Sequence, residues 1–216
     1  MNTLRALYHL VRADFLERVR RYSFLIVLGA TVYLGYAVAT GRLTVWLGST
    51  HRGVYNSAWV GILMTMSSTL LVSLAGFYIV KNALERDRRT GVGQIIATTP
   101  IGKFLYILGK ALSNLAVLVV IMGILILAAV AAQLVRGEET QIELWLLISP
   151  FLLIWLPAMA TVAALAVLFE TLPGLRGGLG NVAYFFLLMF LFAYSVEHPA
   201  AFADLNGHGI GYRGCQ

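Results

Sequence analysis

The stretch "ALSNLAVLVVIMGILILAAVAAQLV", residues 111–135, decides the fold class of this chain. It runs for 25 residues without Asp, Glu, Lys or Arg. An α-helix needs about 20 mostly apolar residues to cross the hydrocarbon core of a bilayer. A charge at the centre of such a helix costs about 2.5–3.5 kcal/mol on insertion, so an uninterrupted apolar run of this length predicts a membrane span.

Four further windows on either side of this stretch also lack charged residues: 22–41, 53–80, 144–169 and 177–196. In the whole chain of 216 residues, 59% are hydrophobic and 12% are charged. A soluble domain carries about a quarter charged residues, so this chain has too little polar surface to cover a soluble globule. We therefore predict an all-α polytopic membrane protein with about five transmembrane helices, at about 22–40, 58–80, 111–135, 144–169 and 178–196. Residues 1–196 form a single transmembrane domain, and 197–216 form a Gly-rich outer tail or the beginning of an outer domain.

The basic residues are distributed unevenly over the connecting segments. Residues 1–21, 81–110 and 170–176 hold 12 of the 16 Lys and Arg residues. The positive-inside rule therefore places the N-terminus and the 81–110 loop in the cytoplasm of a cell (inner) membrane, with the C-terminus outside. The net charge of +6 does not indicate a nucleic-acid partner, because nucleic-acid binders cluster their cations on one water-exposed face. Cleavage after the small residues at 37–40 is the alternative to a retained first span.

The N-terminal segment 3–21 has the pattern of an interfacial amphipathic helix. Its apolar residues recur at helical spacing, while most of its charged residues lie off that stripe. A basic helix of this kind can lie in the membrane interface, where anionic lipid adds about 1 kcal/mol per nearby cation. The alternative is a plain cytoplasmic tail. The stripe consists of Leu4, Leu7, Tyr8, Val11, Phe15 and Val19.

The loop between the second and third spans reads "LERDRRTGVGQIIATTPIGKFLYILGKAL", residues 84–112. Residues 81–89 can continue span two as a helix below the membrane, and Gly91 and Gly93 then end that helix. Thr99 is a good N-cap and Pro100 suits the first position of a new helix leading back into span three. The pattern predicts a cytoplasmic helical hairpin. It is equally compatible with a docking surface and with a topology-setting loop held at lipid headgroups.

The apolar windows hold no ionisable residue that could serve catalysis or proton coupling. Lys110 and Glu170 lie at window edges, where their charged groups can reach the interface. Asn114 and Gln133 suit hydrogen bonds between helices. The sequence indicates no enzyme, no cofactor and no metal site, and "GKFLYILGK" lacks the spacing of a phosphate-binding loop.

The helix order and the motif "RRTGVGQIIATTPIGKFLYILGKAL" resemble the permease subunits of type 2 ABC transporters. The resemblance implies that the loop docks on a separate ATP-binding cassette ATPase subunit and that the chain pairs with a second permease subunit. It also implies that the N-terminal helix matches the interfacial elbow helix of that family. Such a permease half usually has six spans, and this chain has five predicted spans. The residues implied to contact the ATPase are Glu85, Arg86, Arg88, Arg89, Ile95, Ile96, Thr98, Pro100 and Lys103.

The sequence therefore predicts a permease that moves a substrate across the membrane with energy from ATP hydrolysed by its partner. The alternative function is a non-transporting membrane scaffold or assembly factor. An ion-coupled carrier is disfavoured because the spans lack buried ionisable groups.

Overall fold

The structure is a computed structural model that describes residues 3–42, 46–47, 51–52, 55–81, 102–136 and 141–197. The all-helical class is confirmed, apart from an antiparallel pair of two-residue strands between the first two long helices. The elements in these ranges are α1 Thr3–Val19, α2 Tyr22–Ala39, β1 Trp46–Leu47, β2 His51–Arg52, α3 Ser57–Val80, α4 Lys103–Arg136, α5 Leu144–Pro150, a π-helical turn Phe151–Trp155, α6 Leu156–Thr171 and α7 Gly178–Glu197.

Three to four of these helices are long and apolar enough to cross a membrane. The three are α3, α4 and the continuous helix Leu144–Thr171 formed by α5, the π-helical turn and α6. A fourth results if α1 and α2, which are bent by 70° relative to one another, are counted as one broken span. The apolar part of α7, Gly178–Tyr194, is shorter than a full span. The multi-pass membrane class is therefore supported, and the count of five spans stays a prediction.

Helix α4 lies at the centre of the bundle and packs against α1, α2, α3 and α6. Its inner face carries Val117, Leu118, Ile121 and Leu125, all with no exposed surface. These positions repeat at helical spacing, so one continuous stripe of α4 supplies the core. The opposite face carries exposed apolar side chains such as Leu127, as expected for a helix face that contacts lipid.

Helix α3 is built for close helix packing by a repeat that the sequence reasoning missed. A small residue occurs at every fourth position along its buried face. In membranes such small residues let helix backbones approach closely. At Gly61 the approach is closest, because a Cβ placed there would lie 2.5 Å from the carbonyl oxygen of Leu147 on α5. The residues of the repeat are Ser57, Gly61, Thr65, Thr69 and Ser73, all of them buried.

The fourth predicted span contains a π-helical turn. The N–H of Leu156 bonds to the carbonyl of Phe151, five residues back, instead of four. Pro157 follows directly, and because proline has no N–H it leaves one carbonyl of the preceding turn without its usual donor. The wider turn and the proline therefore fall in the same place, and such turns are frequent at functional sites.

A polar contact joins three helices near the start of α3 and the end of α4. The Nε2 group of Gln133 on α4 donates to Ser57 Oγ on α3, at 2.7 Å. The backbone N–H of Glu143, at the start of α5, donates to the same oxygen at 2.9 Å. The prediction that Gln133 makes a hydrogen bond between helices is confirmed.

Candidate functional site

Nearly all of the predicted ATPase-contact residues lie outside the described part of the chain. This applies to Glu85, Arg86, Arg88, Arg89, Ile95, Ile96, Thr98 and Pro100. The remaining one, Lys103, is exposed and is the first residue of α4. The structure does show how the chain leaves the bundle for this loop and how it returns. The candidate site therefore consists of the residues around the end of α3 and the start of α4.

The chain leaves α3 by a bend and not by a helical extension. Span two ends at Val80, as predicted. Lys81 has φ −65° and ψ 163°, which is extended backbone. The prediction that the helix continues through residues 81–89 is thus wrong at residue 81, and residues 82–89 lie outside the described part of the chain. On this side the loop is joined to the bundle by an extended residue, which cannot transmit force along a helix axis.

The return into the membrane is a single stiff rod. Helix α4 starts at Lys103 and continues without a break to Arg136, over 34 residues. At 1.5 Å per residue the helix is about 51 Å long, against a hydrocarbon core of about 30 Å. The predicted helix leading back into span three is confirmed from Lys103 onward. Its first two turns extend the span beyond the charge-free window.

Lys81 is held in a cluster at the C-terminal end of α3, which we call the Lys81 cluster (Phe77, Lys81, Glu170, Gly177 and Asn181). Only 3% of Lys81 is exposed. Its Nζ donates to Asn181 Oδ1 at 2.8 Å and to the carbonyl oxygen of Gly177 at 3.1 Å. The same ammonium lies 5.6 Å from the centroid of the Phe77 ring. The cluster connects the point where the loop begins to the first turn of α7.

The charge of Lys81 is balanced inside the protein. Burial lowers the pKa of the Lys81 ammonium, and the negative charge of Glu170 acts in the opposite direction and raises it. Glu170 is 2% exposed. The prediction that its carboxylate reaches the membrane interface is therefore wrong. A buried carboxylate is stabilised by a nearby cation, which explains why the two charges occur together here.

Aromatic side chains fix α7 to α3 next to this cluster. The rings of Phe77 and Tyr184 stack with centroids 3.6 Å apart and an interplanar angle of 3°. Phe169 contacts Phe77 edge-on, with centroids 5.6 Å apart. The hydroxyl of Tyr184 donates to the backbone carbonyl of Ser73 at 2.9 Å. The first half of α7 is thus joined to the second half of α3 by packing and by hydrogen bonds.

The connection between α6 and α7 is a tight turn, as predicted from Pro173 and its neighbouring glycines. Gly174 has φ +96°, a conformation that favours glycine. Gly180 is also required, since a Cβ there would collide with the carbonyl oxygen of Leu175 and lie 2.6 Å from Lys81 Nζ. The glycines therefore allow the turn to lie directly against the Lys81 ammonium.

A second buried cluster, which we call the Lys110 cluster (Asp14, Arg18, Lys110 and Asn114), holds the N-terminal part of α4. Lys110 Nζ donates to Asp14 Oδ2 on α1 at 2.6 Å. The two side chains are 1% and 10% exposed. The prediction that the Lys110 ammonium reaches the interface is therefore wrong, because it is paired inside the helix packing.

The next turn of the same two helices adds a second link. Arg18, one turn after Asp14 on α1, donates to the side-chain oxygen of Asn114, one turn after Lys110 on α4. Asn114 Nδ2 in turn donates to the backbone carbonyl of Ala163 on α6, at 3.3 Å. Asn114 thus bonds two other helices, which confirms its predicted role. Both α1–α4 links join residues 96 apart in sequence, so the two helices run in the same general direction where they meet.

Helix α1 is consequently an integral part of the bundle. The predicted helix over 3–21 is confirmed as Thr3–Val19. Phe15 and Val19 of its apolar stripe pack against the protein core, while Tyr8 is 61% exposed. The sequence reasoning missed the part played by Asp14 and Arg18. Their four-residue spacing, matched by that of Lys110 and Asn114, is the signal that could have suggested it.

Taken together, the two clusters tie both ends of the loop to α1, α6 and α7. Within the described ranges no group of three or more His, Cys, Asp or Glu side chains could hold a metal ion. The arrangement is suited to positioning helices. Nothing in the described part of the chain aligns a nucleophile with a general base.

No family model, curated protein or solved structure matches this chain. The resemblance to type 2 ABC permeases therefore rests on the motif within residues 84–112 and on the helix order.

Proposed function

We propose that the chain is the permease subunit of an ATP-driven ABC transporter. In this proposal five helices cross the cell (inner) membrane, with the N-terminus and the 81–110 loop in the cytoplasm and the C-terminus outside. The loop docks on a separate ATP-binding cassette ATPase, and a second permease subunit, identical or different, completes the pathway. Transport of the substrate then follows from movement of the helices, with no chemistry on this chain.

The observation that carries the proposal is the continuity of α4. Helix α4 begins at Lys103, at the end of the predicted docking segment, and continues unbroken to Arg136. We expect such a helix to move as one body. A displacement applied to the loop is thereby delivered along the whole length of the central helix. A loop that only sets topology has no need of a stiff helix reaching its last residues.

The Lys110 cluster supports the same interpretation. It joins the cytoplasmic part of α4 to α1 through Asp14 and Arg18, and to α6 through Asn114. A force applied to α4 would therefore also act on α1 and α6, near the end of the bundle where a cytoplasmic partner would bind. Helix α1 fits the interfacial helix of the proposal, because Arg12 on its surface and Arg20 just beyond its end are exposed, and both suit anionic lipid headgroups.

Purification of the full chain from membranes in mild detergent tests the proposed partner. We expect an ABC-type ATPase to co-purify, and its ATPase activity to change when the permease is present. If the chain instead co-purifies with a stable membrane assembly that lacks any ATPase, the scaffold alternative replaces this proposal.

The docking segment is tested by the double substitution Ile95→Asp and Ile96→Asp. Two charges in an apolar contact lose the favourable burial and add a desolvation cost, so we expect ATPase activity to continue without transport. Membrane insertion is expected to be unchanged, because the residues lie outside the spans. The matched control is Ile95→Val with Ile96→Val, which keeps the apolar contact. Normal transport by the Asp variant would contradict the docking role.

A further inference from the structure

One face of α2 carries a row of exposed side chains with a regular spacing. Tyr22, Gly29 and Tyr36 follow one another at intervals of seven residues, a spacing that keeps side chains on one face of a helix and is typical of helix pairs. The residues between them that share this face are also exposed. We call this face the α2 seam, and it consists of Tyr22, Leu25, Ile26, Gly29, Val32, Tyr33 and Tyr36.

Gly29 lies at the centre of the α2 seam and leaves room for another helix. A Cβ placed on Gly29 would have no atom within 4 Å. Gly35, by contrast, faces α4, where a Cβ would lie 2.6 Å from the Cβ of Ala128. The packing of α2 within this chain thus requires Gly35 and makes no use of Gly29. In membranes, small residues at a helix surface let a second helix backbone approach closely.

The Tyr33 phenol lies at a depth where lipid offers no hydrogen bond. Tyr33 is within two residues of the middle of the charge-free window 22–41 and is 61% exposed. Its ring contacts Tyr36, with centroids 6.5 Å apart, and its hydroxyl forms no hydrogen bond with the described part of the chain. Side chains of a helix lean towards its N-terminus, so we expect the hydroxyl to point to the middle of the span. A hydroxyl in hydrocarbon without a partner is costly, which indicates that another protein surface covers Tyr33.

Lipid contact alone does not explain this composition. Tyr22 and Tyr36 lie nearer the ends of the span, where tyrosine is common at the membrane interface, but Tyr33 does not. On α4, the exposed positions within residues 119–134 are occupied only by Val, Gly, Leu and Ala. A face that contacts lipid in this chain is therefore aliphatic, and the α2 seam differs from it by a phenol near the middle of the span.

The α2 seam is also large enough for a stable contact between two copies. Its three tyrosines are 84%, 61% and 53% exposed, which together corresponds to about two whole tyrosine side chains. A tyrosine can bury about 150–250 Å², so the tyrosines offer about 300–500 Å² on each copy. Leu25, Ile26 and Val32 add to this area, since each is at least half exposed. Two such faces reach the total of about 1,000 Å² that a specific interface needs.

We infer that the α2 seam is the surface by which two copies of this chain pair in the membrane. Both copies have the same orientation in the bilayer, so a twofold axis perpendicular to the membrane places the two seams face to face in register. Gly29 then lies where the two helices cross. The two Tyr33 hydroxyls, each able to donate and to accept, bond to one another. The inference rests on the proposed function in taking α2 as the first span, and it makes the second permease subunit identical to the first.

Disulfide cross-linking in membranes tests the position of the contact. Cys215, the single cysteine of the chain, is replaced by serine, and a new cysteine is introduced by Gly29→Cys. Gly123→Cys is the matched control, because a Cβ on Gly123 also has no atom within 4 Å and Gly123 is the middle residue of its charge-free window 111–135. Under mild oxidation we expect at least tenfold more cross-linked dimer from Gly29→Cys than from Gly123→Cys. Equal cross-linking of the two variants would overturn the inference.

Substitutions in the α2 seam test its contribution to affinity, measured as the dissociation constant of the dimer formed by the purified full chain in lipid vesicles. Gly29→Leu fills the space needed by the second helix and is expected to weaken pairing at least tenfold. Gly123→Leu, equally open in the single chain, is expected to change it less than twofold. Tyr33→Phe removes only the hydroxyl and is expected to weaken pairing about threefold to tenfold, as for other hydrogen bonds between membrane helices. It also serves if Gly29→Leu does not fold.

A chain that stays monomeric in vesicles would overturn the inference, as would a dimer of unchanged affinity in both Gly29→Leu and Tyr33→Phe. These outcomes are separable from the proposed function. A monomeric chain that co-purifies with an ATPase and a different permease subunit keeps the transporter proposal and removes self-pairing. A dimer that depends on Gly29 and Tyr33 but never co-purifies with an ATPase keeps the pairing and removes the transporter proposal.

Discussion

Among the polar contacts of α1, loss of the Asp14–Lys110 ion pair is expected to lower the free energy of unfolding the most. The two charged atoms are 2.6 Å apart and the side chains are 10% and 1% exposed. At an effective dielectric constant of about 20, unit charges at this distance attract by about 6 kcal/mol. Most of that attraction is offset by the desolvation of both groups, so the pair adds little net stability over an apolar pair.

Removal of one partner gives a different result, because the other charge then remains buried without its ion-pair partner. Such a loss costs about 3–5 kcal/mol in buried pairs. We therefore expect Asp14→Leu and Lys110→Met each to destabilise the protein by that amount. The double variant Asp14→Leu with Lys110→Met removes both charges together, and we expect it to be far less destabilised than the sum of the two single variants.

The assay is equilibrium unfolding of the purified chain in detergent micelles, followed by the loss of helical signal. The exposed pair between Glu17 on α1 and Arg21, just beyond the end of α1, provides the control, with atoms 2.8 Å apart and the Arg21 and Glu17 side chains 39% and 48% exposed. Its disruption by Glu17→Gln is expected to cost about 0.3–0.5 kcal/mol, as for other solvated pairs one turn apart.

Two results would refute the reasoning. In the first, the single variants at Asp14 and Lys110 are no more destabilised than Glu17→Gln, which would mean that the pair is not buried. In the second, the effects of the single variants add fully in the double variant, which would mean that the two charges do not interact.

Further expectations concern two glycines and one lysine. Gly61→Ala is expected to destabilise the protein by about 1–3 kcal/mol in the same unfolding assay, because the new Cβ lies 2.5 Å from the backbone oxygen of Leu147. Gly123→Ala, on the open face of α4 with no atom within 4 Å of the new Cβ, is expected to stabilise it by about 0.5–1 kcal/mol, and a loss of stability there would contradict the packing of α4. Burial lowers the pKa of Lys81 in the folded protein below its ordinary value of 10.5, and Glu170 opposes the shift. At a pH between the folded-state pKa and 10.5, the unfolded chain therefore binds more protons than the folded one. Stability should therefore rise with pH through this window, and Lys81→Met should remove that rise when the two proteins are compared across alkaline pH.

The part of the candidate site that could be predicted is the part that depends on local sequence. The helix that returns to the membrane was predicted to start at Pro100 and is present from Lys103 onward, because an apolar helix continues readily into its flanking turns. Asn114 and Gln133 were assigned to hydrogen bonds between helices, because a polar side chain in hydrocarbon seeks a partner within the protein. Neither inference requires knowledge of which helices are neighbours.

The predictions that failed concern charges at the ends of helices. Lys110 and Glu170 were expected to reach the interface, since a long or terminal side chain can extend towards water. The structure provides each with a compensating charge inside the protein instead, Asp14 for Lys110 and Lys81 for Glu170. The helical continuation of α3 through residue 81 failed for a related reason, because Lys81 bonds to α7 and its backbone turns away to do so.

The sequence alone determined that the chain is helical and that several of its helices are long and apolar enough to cross a membrane, because a long charge-free segment in hydrocarbon must satisfy its backbone groups internally. It could not determine which charges are buried. That depends on pairing between residues about 96 positions apart, such as Asp14 with Lys110 and Arg18 with Asn114, which a local pattern does not record. Only the packing of α1 on α4 and of α7 on α3 brings these groups together, and the electrostatics of the loop ends follow from that packing.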